Sequence, residues 1–135
     1  MKLVLDTNIF ISAFYWGGDS QKIINRVIKG TDKLYISNEI LDEIAAVMSG
    51  PKFKTSPEII DRYIRTIEKT GKKVFTTGKI KGICRDKDDN EKIECGIQSR
   101  ADYLITGDDD LLILKNYRQL KIITLKEFIN EILAS

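Results

Sequence analysis

The chain has 135 residues, of which 42% are hydrophobic and 31% charged, with a net charge of +2. One globular domain is therefore expected, and no apolar run approaches the roughly 20 residues that span a bilayer. The amino terminus lacks a signal-peptide pattern, so we expect a cytoplasmic protein. The sequence contains no histidine. This excludes Ser-His-Asp and Cys-His catalysis and HExxH zinc sites, so a hydrolase of this composition needs carboxylates and a metal ion.

Strand-like runs alternate with helix-like segments along the chain, which predicts βαβ units and a mostly parallel sheet. Two helix starts are marked: Pro57 follows Ser56 at a first helical position, and Thr124 and Glu127 have capping-box spacing. The predicted strands are Lys2–Leu5, Lys33–Ile36, Lys73–Phe75, Tyr103–Ile105 and Lys121–Ile123.

Acidic residues follow several of these runs. Asp6 closes the first strand, Asp89 opens a helix-like segment, and the triplet 108–110 follows the fourth strand. Residues outside the carboxyl ends of adjacent parallel strands converge on one crevice. Carboxylates gathered there repel one another and need protons or a cation between them. Oxygen ligands suit Mg²⁺ or Mn²⁺ and not Zn²⁺.

Helical phase selects two of the acids. Taking about 100° per residue from Ile40, Glu43 lies at the border of the apolar face of its helix. Asp89 lies four residues before Ile93 and shares its face. Each acid alone has an ordinary explanation: a helix cap for Asp6 or Asp89, a salt bridge for Glu43, and a polar turn for the triplet. Their joint placement at one end of a sheet favours a shared metal site over these separate explanations.

Charge is distributed unevenly. Residues 51–87 contain 11 Lys and Arg against 4 Asp and Glu, a net of +7, and the remainder carries −5. A basic segment beside an acidic pocket suits binding of a phosphodiester backbone, although solvated helices explain the lysines equally well. The candidate contacts are Lys52, Lys54, Arg85 and Lys87.

Four segments together resemble the PIN domain family, closest to the single-domain prokaryotic VapC-like toxins of toxin–antitoxin pairs. The likeness covers nearly the whole chain, and the order and spacing of its first and last motifs carry the specificity. The segments are Leu5-Asp6-Thr7-Asn8, Ser37 with Glu43, Asp86 to Asn90, and Ala101 to Leu111.

This resemblance implies one domain over residues 1–135, a three-layer α/β/α sandwich with a central parallel sheet of four or five strands. It also implies an endoribonuclease that uses one or two Mg²⁺ or Mn²⁺ ions, with RNA as substrate and an antitoxin and a homodimer as partners. Glu43 is expected to help deprotonate the attacking water. The implied catalytic acids are Asp6, Glu43, Asp89 and Asp108; the metal ligands are Asp6, Asp89, Asp108 and Asp110; and the supporting residues are Thr7, Asn8, Asn90 and Thr106.

Some alternatives stay open. A gapless count from Thr106 places Asn90 where many VapC-like proteins have their third acid, whereas helical phase favours Asp89. If that ligand is missing, the chain is a catalytically incomplete RNA-binding or scaffold module. A receiver-like signalling domain ranks lower, because Asp6 stands alone where receivers have an acidic pair. For the nuclease, we expect Asp6→Asn to abolish cleavage and to raise the melting temperature of the metal-free protein by relieving repulsion.

Overall fold

A six-stranded, mostly parallel sheet carries the fold in the computed structural model, which describes residues 1–133. Its spatial order is β3-β2-β1-β4-β6-β5, and only β5 and β6 pair antiparallel. The expected parallel sheet is thus confirmed, with an antiparallel edge added. The strands are β1 (Lys2–Leu5), β2 (Lys33–Ile36), β3 (Lys72–Lys73), β4 (Tyr103–Ile105), β5 (Asn116–Tyr117) and β6 (Leu120–Ile123).

Two strands differ from the sequence prediction. The run Lys73–Phe75 was expected to form a strand, but β3 ends at Lys73 and Phe75 is 70% exposed. The last ladder bond is donated by the Val74 N–H to the Ile36 carbonyl oxygen, after which the chain leaves the sheet. The strand β5 was missed because it has two residues and no Asn-Gly or Asp-Gly turn follows it. Instead, Arg118 takes a positive φ of 54° at the hairpin turn.

Helices connect the strands, and their predicted starts are confirmed. Pro57 occupies the first turn of its helix, and Thr124 and Glu127 form a capping box. Within residues 1–133, no helix is long and apolar enough to cross a membrane. The helices are α1 (Thr7–Trp16), α2 (Gly18–Ile28), α3 (Asn38–Ser49), α4 (Pro57–Thr70), α5 (Lys87–Gln98), α6 (Asp109–Leu112) and α7 (Leu125–Phe128), and a π-helical turn spans Ile129–Leu133.

The helices enclose the sheet as the outer layers of an α/β/α sandwich. Helix α5 packs across one face, where it contacts β1, β2, β4 and β6. Right-handed crossovers place α1 to α4 on the other face. Fully buried side chains fill the space between the layers, among them Leu3, Phe10, Ile93, Leu104 and Phe128.

The order in which the chain adds strands to the sheet reverses between β1 and β4, although these two strands are parallel. From β1 the chain moves to β2 on one side, whereas from β4 it moves to β6 on the other. The two central strands stay paired to their ends, where the Asp6 N–H donates to the Ile105 carbonyl oxygen at 2.9 Å. Open α/β sheets bind ligands outside the carboxyl ends of strands at such a switch point. Asp6 and Thr106 begin the loops that leave this edge.

Candidate metal centre

A buried hydrogen-bond network joins the ends of the two central strands. Asp6 accepts from the Thr7 N–H at 2.7 Å and from the Thr106 hydroxyl at 2.5 Å. The same Thr106 hydroxyl accepts from the Asp108 N–H at 3.0 Å. Asp6 is 3% exposed and Thr106 is fully buried. One threonine therefore fixes the position of the Asp6 carboxylate relative to the loop that carries Asp108.

Three carboxylates converge beside this network. One oxygen from each of Asp89, Asp108 and Asp110 lies within 4.8 Å of the other two. Asp89 is buried in the first turn of α5. Asp108 caps α6 by accepting from the Asp110 N–H at 2.9 Å. The distances between these oxygens suit shared contact with one cation.

The electrostatics of this cluster favour a cation. Burial, together with the negative charge of Asp108, raises the pKa of Asp89 to about 6, against the opposing charge of Lys92. The negative charge is thus only partly balanced by protein groups. The Thr7 hydroxyl is also buried and lacks a hydrogen-bond partner within residues 1–133. An all-oxygen donor set with excess negative charge fits a hard divalent ion such as Mg²⁺ or Mn²⁺.

A buried lysine lies among the acids. Lys92 is 4% exposed, and its Nζ atom lies 2.9 Å from Asp6 Oδ1, 3.2 Å from Glu43 Oε1 and 3.7 Å from Asp89 Oδ1. Burial works to lower the pKa of Lys92, but the charges of Asp6 and Glu43 and the hydrogen bonds to them raise it above its ordinary value. Lys92 is therefore an ammonium at neutral pH.

Sequence reasoning missed Lys92, although a signal was present. Lys92 follows Asp89 by three residues on α5, a spacing that places both side chains on neighbouring positions of one helix surface. This spacing alone does not place a lysine on the inward side of a helix, because ammonium groups are almost never fully buried unless they are paired.

Glu43 reaches the centre from a third element, as helical phase predicted. Ser37 caps the start of α3 by accepting from the Ile40 N–H at 3.2 Å, and Glu43 follows in the second turn. Its side chain is 32% exposed. Glu43 meets the other acids through Lys92 and is not one of the three clustered carboxylates. Its partial exposure leaves it accessible to solvent and to a substrate.

Asn90 and Asp89 take different positions. Helix α5 begins at Lys87, and Asp89 lies in the acidic cluster. Asn90 instead holds the preceding segment: its Oδ1 accepts from the Cys84 N–H at 2.7 Å, and its amide donates to the Cys84 carbonyl oxygen. The structure therefore places Asp89 with the acids and Asn90 in a supporting position.

Glu94 fixes the segment between β3 and α5, a role that the sequence did not reveal. It is buried and accepts from the Thr77 N–H, from the Ile80 N–H at 3.1 Å and from the Gln98 amide at 2.9 Å. Burial works to raise the pKa of Glu94, but the backbone N–H groups of residues 77–80 lower it overall. Glu94 thus acts as an ionised anchor for a segment with little regular structure.

The four basic candidates lie in three places. Arg85 forms an ion pair with Asp110 at 2.7 Å and so borders the acidic cluster. Lys87 is exposed at the start of α5, on the side of the helix that carries Asn90 and Glu94. Lys52 and Lys54 lie in the loop between α3 and α4. The predicted supporting residue Asn8 is exposed in the first turn of α1.

The apolar run on α1 divides between core and surface. Phe10 and Ile11 are buried, whereas Trp16 is 65% exposed. Tyr15 stacks on Phe53 with ring centroids 4.0 Å apart. The carboxyl-terminal end of α1 therefore presents an aromatic surface beside the α3–α4 loop.

Comparison with known proteins identifies the family. A family model described as "PIN domain" matches residues 2–110. The chain belongs to the PIN domain family. It is 33% identical over 142 aligned residues to the uncharacterized protein MJ1680 of Methanocaldococcus jannaschii, covering 97% of this chain and 91% of that protein.

A solved structure supports the same fold. The fold is similar to that in the crystal structure of VapBC2 from Rickettsia felis bound to a DNA fragment from their promoter. The TM-score is 0.64 at 18% identity, and the match covers 90% of this chain and 97% of that chain. Membership of the PIN family confirms the resemblance found in the sequence and removes the receiver-like alternative. The single-domain assignment of residues 1–135 extends past the described residues and stays a prediction.

The structure changes the expected effect of Asp6 on stability. We expected Asp6→Asn to relieve repulsion, but Asp6 is paired with Lys92 in a buried site. Losing one partner of such a pair is destabilising. Relief of repulsion is now expected at Asp108, which raises the pKa of Asp89 and has no lysine partner among the described ion pairs.

We predict that Asp108→Asn raises the melting temperature of the EDTA-treated protein by roughly 2–5 °C and removes stabilisation by added Mg²⁺. Asparagine preserves the helix cap, so the effect reports charge alone. Thermal unfolding with EDTA and with Mg²⁺ measures both quantities. Asp109→Asn is the matched control, because Asp109 is exposed in the same turn and lies outside the cluster. Equal Mg²⁺ stabilisation of wild type and Asp108→Asn would contradict the assignment.

Proposed function

We propose that the protein is a Mg²⁺-dependent endoribonuclease. The observation that carries the proposal is the convergence of Asp89, Asp108 and Asp110 within 4.8 Å at the switch point of a PIN-family sheet. Asp89, Asp108 and Asp110 would hold the cation, and Mn²⁺ would fit the same oxygens. The chemistry supplied by a bound Mg²⁺ is polarisation of a phosphoryl oxygen and stabilisation of the leaving oxygen.

Protein groups supply the proton transfer and the positioning. Glu43 is half-exposed beside the cluster, so its carboxylate is placed to accept a proton from the water that attacks phosphorus. The phosphorus–oxygen bond to the leaving group then breaks. Asp6 is a positioning residue in this proposal, because its oxygens already accept from Thr7, Thr106 and Lys92. Thr106 sets the distance between Asp6 and the Asp108 loop.

We predict Mg²⁺-dependent cleavage of single-stranded RNA that EDTA abolishes. Glu43→Gln should lower the rate by roughly 100-fold or more, because a general base is lost, and Asp6→Asn should abolish detectable cleavage. Gel analysis of a fluorescent RNA measures the rates. Asp42→Asn is the control for Glu43, since Asp42 is the exposed neighbour on the same helix. Unchanged cleavage by Glu43→Gln or Asp6→Asn would refute the assigned roles.

One observation favours a second candidate, a catalytically incomplete PIN module that binds RNA without cutting it. Lys92 already occupies the space between Asp6 and Glu43. If this ammonium prevents assembly of a working site, the protein would bind RNA and be stabilised by Mg²⁺ without cleaving. The same cleavage assay, run beside an RNA-binding measurement, separates the two functions.

We assign RNA contact to Arg85 and Lys87, exposed cations that precede Asp89 in the chain. Lys87 lies two residues before Asp89 and is exposed. A cleft of about 510 Å³ opens beside it between α3 and α5, lined in part by Glu39, Lys81 and Asn90. A strand whose phosphate lies at the acids would pass Lys87 at the mouth of this cleft. Lys52 and Lys54 would contact the RNA only if the strand were long enough to reach the α3–α4 loop.

We predict that Lys87→Ala weakens RNA binding in EDTA and lowers the slope of log affinity against log salt by about 0.7, because one phosphate contact is lost. Fluorescence anisotropy at several salt concentrations measures both quantities. The control is Lys29→Ala, since Lys29 is an exposed residue at the end of α2. An unchanged slope for Lys87→Ala would exclude this contact.

We further propose a toxin role with an antitoxin partner. The support is the family and the fold likeness to VapBC2, whose structure is a complex bound to promoter DNA. Exposed Trp16 beside Phe53 and exposed Phe14 beside Tyr63 offer aromatic surface for a protein partner. A homodimer stays a prediction.

We predict that expression of the wild-type protein arrests growth of a bacterial host, whereas Glu43→Gln at equal expression does not. Co-expression of a small neighbouring gene product that binds the protein should restore growth. Growth curves with immunoblots measure both outcomes. Equal arrest by wild type and Glu43→Gln would show that toxicity does not come from cleavage.

A further inference from the structure

The acidic centre divides into two parts with different charge balance. Asp6 and Glu43 share the buried ammonium of Lys92 at 2.9 Å and 3.2 Å. Asp89, Asp108 and Asp110 form the other part, where Arg85 pairs with Asp110 through a side chain that is 87% exposed. Lys92 reaches this second part only at 3.7 Å from Asp89. Lys92 therefore offsets half of the negative charge of the first part, whereas the three carboxylates of the second part share one exposed arginine, Arg85.

We propose that Lys92 permanently occupies one of two cation positions, so that the centre binds a single divalent ion at Asp89, Asp108 and Asp110. This inference rests on the proposed metal-dependent function and specifies its metal content. It assigns Lys92 a positioning role: the ammonium holds Asp6 and Glu43 in place without needing a second metal ion.

Contacts at Asp6 leave little room for direct metal ligation. Its Oδ1 accepts from both the Thr7 N–H and Lys92, and its Oδ2 accepts from the Thr106 hydroxyl. Mg²⁺ requires oxygens at about 2.0–2.1 Å in near-octahedral geometry. A second ion could take these oxygens only by displacing Lys92 from a site where it is 4% exposed.

Distance and charge also indicate that Lys92 and a second metal ion cannot occupy the centre together. Two-metal centres hold their ions about 3.5–4 Å apart. Lys92 already lies between Asp6, Glu43 and Asp89, as a second ion would. A second divalent ion among Asp6, Glu43 and Asp89 would have to share that space with the ammonium, and the two cations would repel strongly because screening there is weak.

The test counts bound Mn²⁺ on metal-free protein without RNA, using electron paramagnetic resonance of the free ion. We expect one tightly bound ion per wild-type chain and two per Lys92→Met chain, because methionine keeps the length of the side chain and removes its charge. Lys92→Arg should bind one ion, and the exposed-surface control Lys29→Met should also bind one. Thermal unfolding should show a lower melting temperature for metal-free Lys92→Met and a larger rise with Mn²⁺ than for wild type.

Each result decides the inference. Two ions on wild type, or one ion on folded Lys92→Met, would overturn it. If Lys92→Met does not fold, the counts for wild type and Lys92→Arg still decide, since two ions on either would contradict an occupied second position. Failure of the nuclease proposal can be told apart from failure of this inference. If the wild-type protein binds one ion but does not cleave RNA, the nuclease proposal is wrong and the assignment of Lys92 is unaffected.

Discussion

Repulsion among carboxylates gathered at one end of a parallel sheet sets the constraints on this molecule. Asp6, Glu43, Asp89 and Asp108 come from segments far apart in sequence, and β-sheet topology brings them to one crevice. Burial strengthens the interaction of every pair, because the surroundings screen charge less than water does. Lys92 offsets part of the negative charge on one side of the crevice. On the other side, burial and then the negative charge of Asp108 raise the pKa of Asp89.

Polar side chains outside the cluster hold it in place. Thr106 links the Asp6 carboxylate to the backbone of the Asp108 loop, so the ends of β1 and β4 form one unit. Asn90 and Glu94 use their side chains to fix the irregular segment before α5, which makes few backbone ladder contacts of its own. Buried polar groups of this kind favour one arrangement of the chain, because each loses free energy if its hydrogen-bond partner is absent. The centre is therefore positioned by hydrogen bonds as well as by packing.

Helical phase and strand ends were sufficient to find several members of the centre. Glu43 was selected because it borders the apolar face of α3, and Asp89 because it shares a face with Ile93, and the structure places both beside the switch point. The same reasoning failed for Lys92, since propensity treats lysine as a surface residue. It did not reveal the anchoring role of Glu94, because the partners of Glu94 are backbone N–H groups in a segment without a sequence signature.

By itself, the sequence determined the alternation of the main strands and helices, the PIN family and the absence of imidazole chemistry, because these follow from local periodicity, short motifs and composition. Only the tertiary structure decided which charges meet. Whether Asp6 faces a proton donor, a lysine or open space depends on where α5 and β4 pack against β1, and those contacts join residues up to 100 positions apart. Electrostatic energy depends on distance and burial, neither of which is a local property of the chain.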